Sequence, residues 1–161
     1  MGKELFDLVA RIAREVLGDN LVGIVVFGSA VYMGRGRDVD LLIVVRNVSG
    51  PRHVIDLELE IRRRLLKALR RDLERTVLDI HIVTLDDLKT GAGFVAGLAL
   101  GHRVVLDLGG LRDAIREALK RVAEEGPTLR NRYGLWDLGL FARIALKRSE
   151  ECSQRREADE A

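Results

Sequence analysis

The run Leu21-Val-Gly-Ile-Val-Val-Phe27 is apolar at every position and rich in β-branched residues. A strand with one face in water alternates apolar and polar side chains, whereas an unbroken apolar strand is buried on both faces. A sheet covered on both faces needs helices on both sides, so this segment restricts the fold to layered α/β or α+β arrangements. Asp38 to Val45 (DVDLLIVV) predicts a second strand and Thr76 to Val83 a third. The segment between the first two strands leaves room for only one short turn of helix, so a mixed sheet is expected rather than a simple parallel crossover.

Helical periodicity supplies the covering layers. Leu5, Val9, Ile12 and Val16 predict a first helix over 3–17, stopped by Gly18-Asp19-Asn20. Ser49 is expected to cap a helix with Pro51 in its first turn, running to about Asp72 with Ile55, Leu59, Leu66 and Leu69 on one side. Thr84-x-x-Asp87 reads as a capping box opening a short helix to about Leu100. Arg103 to Leu108 is expected as a fourth, edge strand, followed by Gly109-Gly110 and a helix over 111–125 ended by Gly126-Pro127. The remainder is expected as a helical extension from Leu135 with a charged, frayed tail after Ser149. The domain reading is therefore 1–126 for the sheet and its helices, and 127–161 for the extension. There is no internal repeat and no low-complexity linker.

Composition narrows the class. The 161 residues carry 27 basic and 25 acidic side chains, so no bulk charge favours nucleic acid. One cysteine, Cys152, excludes an intrachain disulfide and a Cys/His zinc framework. The uncharged run Leu21 to Gly34 is too short to span a bilayer, and the amphipathic N-terminus is not a signal peptide. A cytoplasmic protein with no membrane partner is expected. Arginine outnumbers lysine 22 to 5, and Asn, Gln, Cys and Met total seven, a pattern that suits a thermophile and equally a GC-rich genome.

The chemistry concentrates at strand ends. Asp38 and Asp40 flank Val39 at the start of an apolar strand, so both carboxylates project from one face. At a spacing of roughly 6.6 Å, two such charges repel by on the order of 2–3 kcal/mol at an effective dielectric near 20. A divalent cation between them reverses the sign of that interaction. Asp79 interrupts another apolar strand, where a charge needs a cationic partner, either an arginine or a metal. If the two strands are neighbours, Asp38, Asp40 and Asp79 can share one or two Mg²⁺ ions, the working parts of metal-assisted phosphoryl transfer. Gly28-Ser29 ends the preceding strand, and its backbone and hydroxyl suit a phosphate.

Gly28-Ser29, eight intervening residues and then Asp38-Val39-Asp40 before an apolar strand resemble the signature of the nucleotidyltransferase superfamily, of polymerase-β-like fold. The compact length resembles its minimal members, and the resemblance covers about residues 5–108. It implies a small mixed sheet flanked by helices, a nucleoside triphosphate (ATP foremost) and Mg²⁺. Carried over by position, Asp38, Asp40 and Asp79 would bind metal, with Asp79 helping to activate the acceptor, and Gly28 and Ser29 would hold the phosphates. Many minimal members place alanine-arginine-glycine after the glycine-serine and a serine before the first aspartate. Here Ala30-Val31-Tyr32-Met33-Gly34 and Arg37 stand there, so Arg35 or Arg37 would take the phosphate-binding role of the missing arginine. The implied reaction moves a nucleoside monophosphate to a hydroxyl and releases pyrophosphate. The resemblance also implies an alternative, an antitoxin-like subunit that binds, and with or without adenylylation controls, a helical HEPN-type toxin.

Weaker signals remain. His81 shares the face of Asp79 and reads either as a ligand or as a polar residue at the margin. Arg62-Arg63-Arg64, Lys67, Arg70 and Arg71 could meet RNA phosphates, but acids lie among them and a solvated, salt-bridged face is the simpler reading. Three of the seven aromatics fall between Tyr133 and Phe141, so residues 130–148 could cover the chain's own core, a second copy or a helical partner. Arg130 or Tyr133 could also reach the nucleotide.

Overall fold

The computed structural model describes residues 3–32, 38–69, 77–90, 94–131 and 134–159. The order is α1 (Lys3–Leu17), β1 (Leu21–Phe27), α2 (Ser29–Tyr32), β2 (Asp38–Val45), α3 (Pro51–Ala68), β3 (Val77–Thr84), α4 (Leu85–Thr90), α5 (Val95–Leu100), β4 (His102–Asp107), α6 (Leu111–Glu125), β5 (Thr128–Asn131), β6 (Gly134–Asp137) and α7 (Leu138–Asp159). Four strands form one sheet in the order β3-β2-β1-β4, and β5 and β6 pair separately as a hairpin. β2 and β3 run parallel, while β1 is antiparallel to both β2 and β4. This is the mixed sheet that the short β1–β2 connection demands.

Every residue of β1 is buried, as an unbroken apolar run requires. One sheet face, carrying Ile24, Val26, Leu41, Ile43 and Val45, packs under Phe6, Val9 and Ile12 of α1 and Ile61 and Leu65 of α3. The other, carrying Val25, Phe27, Leu42 and Val44, packs under Leu88, Leu98, Leu111, Ile115 and Ala142 from α4, α5, α6 and α7. Burying each such aliphatic side chain stabilises the fold by about 1.5–3 kcal/mol before the entropy of ordering it. Gly23 lets the layers close: a Cβ there would meet the Leu106 carbonyl oxygen and lie 2.5 Å from a Leu111 methyl. The capping box of α4 is present, with the Asp87 N–H donating to Thr84 Oγ1 (3.1 Å) and the Thr84 N–H to Asp87 Oδ2 (3.0 Å).

Several expectations change. Gly50, at φ +115°, occupies the N-cap of α3, and Ser49 lies one residue outside, its N–H donating to His53 Nδ1 at 3.0 Å. α3 carries two apolar stripes and the core takes Val54, Leu57, Ile61 and Leu65, with Leu69 just past the helix, leaving Ile55, Leu59 and Leu66 at 53%, 58% and 70% exposure. It ends at Ala68, and Asp72 falls outside the described residues. The single helix expected over 85–100 is two, α4 and α5, with 91–93 outside the described residues. After Thr128 the chain forms the β5–β6 hairpin before α7 starts at Leu138, and α7 continues as helix through the charged segment to Asp159. Ala142 of α7 is fully buried in the second core. Among the described residues no helix is long and apolar enough to cross a membrane.

Candidate active site

The register of the sheet builds the site. Asp40 on β2 faces Asp79 on β3 as a direct Cα partner, and on its other side faces Phe27 of β1, which in turn faces His102 of β4. Residues directly opposed across a sheet project to the same face, with strands about 4.8 Å apart. One row therefore reads Asp79, Asp40, Phe27, His102. The acids stand at the N-terminal ends of β2 and β3, where the apolar covering gives way.

Asp40, Asp79 and His81 each offer one donor atom, and these atoms lie within 4.8 Å of one another. His81 Nε2 is 3.3 Å from Asp79 Oδ2. The His81 ring also packs against Phe27, with centroids 6.3 Å apart and planes tilted by 47°. Arg62 reaches Asp79 from α3, but its Nη2 remains 3.9 Å from Oδ1 and both side chains are about half exposed. Asp40 is held above its ordinary carboxylate range, first by burial and then by the Asp79 charge; His81 opposes this and Asp38 adds to it. Such a site favours either a proton or a cation on Asp40.

Gly28 makes this packing possible. Its φ is +78°, and a Cβ there would collide with Asp40 Oδ2. The Gly28 carbonyl accepts the Val31 N–H at 3.0 Å, turning the chain into α2 with Ser29 as its first residue. The glycine-serine turn and the first strand acid are thus in contact.

The sequence-derived residues fare differently. Asp40 and Asp79 come together, and Gly28 and Ser29 form the turn beside them. Asp38 lies exposed on the same strand face but outside the donor cluster, and His81 takes the third place. Alternation explains both: Asp38 is the first residue of β2, paired with Val77, whereas His81 follows Asp79 by one full strand repeat. Arg35 and Arg37 lie outside the described residues. Of the basic stretch, Arg63 and Arg64 bind Glu60 at 2.9 and 2.6 Å, the salt-bridged face expected. Arg130 sits exposed on β5, and Tyr133 lies outside the described residues.

The donor set fits a divalent cation. Oxygens on one small ion at 2.0–2.1 Å lie at most about 4.2 Å apart, so a cluster spanning 4.8 Å closes with small side-chain rotations. Two carboxylates suit Mg²⁺, and the imidazole widens the choice toward Mn²⁺ or Zn²⁺.

A mixed four-stranded sheet with two acids abreast beside a glycine-serine turn has the fold of the nucleotidyltransferases. The comparison that supports this is with the structure of spectinomycin adenyltransferase from Enterococcus faecialis, solved with ATP and spectinomycin: 18% identity, TM-score 0.50, 76% of this chain and 66% of that one. This chain thus spans just under two thirds of that protein's length. A tri-AMPylated HEPN toxin complex with its MNT antitoxin from Shewanella oneidensis aligns at 16% identity and TM-score 0.48, over 78% of this chain and 87% of that one. No protein-family model matches the chain, and no curated protein matches it in sequence.

Proposed function

We propose that this chain is a cytoplasmic, divalent-cation-dependent nucleotidyltransferase that moves a nucleoside monophosphate, AMP from ATP foremost, to a hydroxyl acceptor and releases pyrophosphate. The observation that carries this reading is the direct pairing of Asp40 with Asp79 beside Gly28. Asp40, Asp79 and His81 would hold the cation, with Asp38 at the margin of the site. When bound, the cation neutralises phosphate charge at the reacting centre. The Gly28-Ser29 turn holds the phosphates through backbone N–H groups and the Ser29 hydroxyl. Asp79, exposed and beside His81, receives the proton of the acceptor hydroxyl as its oxygen bonds to the α-phosphorus. The bond to pyrophosphate breaks in the same displacement, and pyrophosphate carries away the electron pair. Arg35 and Arg37 are assigned to the phosphates from their sequence positions.

Intact-mass measurement after incubation with each nucleoside triphosphate and Mg²⁺, with and without candidate acceptors, tests this. A monophosphate-sized adduct on any acceptor supports the proposal; its absence together with no pyrophosphate release across the set contradicts it.

Leu135 and Leu140, 63% and 47% exposed on β6 and α7, favour a second reading in which the same chain is a subunit for a helical HEPN-type partner or a second copy. In that reading the nucleotide goes to the partner or is not transferred at all. Co-expression with an adjacent all-helical reading frame, followed by size-exclusion chromatography and mass analysis, separates the two.

A further inference from the structure

Beyond Phe27, at the other end of the same row, a cleft of about 810 Å³ opens between β4, α6 and α7. That is the size range of small-molecule sites. Its margin reaches Val31 on α2, three residues after Gly28. Four arginines line it, Arg103, Arg112, Arg116 and Arg148, and among the described residues none of the lining is acidic. In a chain with 25 acids against 27 bases, that segregation is not a reflection of composition.

The arginines are not all engaged by the protein itself. Arg103 lies over the Phe6 ring, 4.5 Å from its centroid, and Arg112 Nε is 3.7 Å from Asp107. Among the residues whose side chains the structure describes, Arg116 and Arg148 have no carboxylate within ion-pair distance. On α6 the series Arg112, Arg116, Lys120 repeats like charge at every fourth position, an arrangement that destabilises an isolated helix. The same cleft is lined by Trp136 and Phe141, ring centroids 5.8 Å apart and tilted by 47°, both partly exposed. Guanidinium forks match phosphate geometry, and aromatic faces take planar rings. The two chemistries face one cleft.

We infer that the cleft between β4, α6 and α7 is a second ligand site, which takes a phosphate-bearing planar heterocycle of the nucleoside monophosphate class, with phosphate on Arg116 and Arg148 and the ring against Trp136 and Phe141. The inference is independent of the role proposed for the acids.

Trp136 is the only tryptophan in the chain, so its emission reports on the cleft directly. The full chain is titrated with AMP without divalent cations, with adenosine and inorganic phosphate as separate probes. The expected result is a saturable change with AMP, at least tenfold weaker binding of either fragment, and at least tenfold weaker AMP binding in Arg116→Glu/Arg148→Glu. Arg116→Lys/Arg148→Lys, which keeps the charge, guards against a folding artefact and should fall between. No saturable change, an unaffected arginine double variant, or equal affinity for inorganic phosphate and AMP would each overturn the assignment. So would displacement of AMP by a short polyglutamate peptide at lower concentration than by AMP itself, which would mark a peptide-docking groove.

Discussion

The two ends of one sheet row carry opposite chemistry. At one end Asp79 and Asp40 stand side by side with His81; at the other, His102 opens into a cleft lined by arginines, and Phe27 separates them. The acid end is made by register alone, because two strands and one turn bring its groups together. The basic end is assembled from β4, α6, β6 and α7, so its charge depends on how helices pack. The contrast teaches that a reaction centre can be encoded locally while a neighbouring binding surface is encoded only by the tertiary fold.

The acid end is the easiest to break. Asp40→Asn/Asp79→Asn should lower nucleotidyl transfer by about 10³-fold or more, since loss of a cation site forfeits several kcal/mol of transition-state stabilisation. Pyrophosphate release measures it, and circular dichroism should remain unchanged. Gly28→Ala should follow, because the left-handed backbone costs an alanine about 1–2 kcal/mol and its Cβ displaces the Asp40 carboxylate. Thermal melting and activity should fall together.

The basic end sharpens the comparison through pH. His102 Nδ1 lies 2.9 Å from the Leu98 carbonyl, which can only accept, so Nδ1 carries the proton. Burial, opposed by that hydrogen bond and assisted by Arg112, holds the ring below its ordinary value of 6.5. The unfolded chain therefore binds the extra proton first, and this stability contribution is full above pH 6.5 and is lost as pH falls through the lowered value. His102→Asn should flatten the melting temperature over that interval.

The smallest expected effect returns to the acids with the opposite sign. Asp40 is raised above 3.8, so its contribution is full below that pH and is lost as pH rises through the raised value. Without divalent cation at pH 7, Asp40→Asn should melt slightly higher than the parent, and the difference should vanish below pH 3.8. Added Mn²⁺ should raise the parent and not the variant, by mass action on the folded state.

What could be read from residues alone follows the same division. The unbroken run of β1, the aspartates at the strand entrances and the Gly28-Ser29 turn are short-range patterns, and they place the sheet and most of the acid site. His81 reads only as one of two alternatives, since strand alternation puts it on the face of Asp79 without telling that Asp40 of the neighbouring strand is within reach. On α3, Ile55, Leu59 and Leu66 make as good an apolar stripe as Val54, Leu57, Ile61 and Leu65, and only docking on the sheet chooses between them. The start of α6 carries no local cap signal, because Asp107 serves it from the preceding strand, accepting the Gly109 N–H at 2.9 Å and the Arg112 N–H at 3.2 Å across a glycine pair. The β5–β6 hairpin left no signal, since its four-residue strands are too short for alternation to stand out. The arginine cleft had none at all: its residues lie from 31 to 149 in the chain.

Binding of Mn²⁺, followed by electron paramagnetic resonance of the free ion, tests the central claim most directly. The parent chain should bind the ion saturably at a protein site, and Asp40→Asn/Asp79→Asn should lose that binding while retaining its fold. Equal Mn²⁺ binding by both proteins would contradict the account, because the paired aspartates would then not be the cation site.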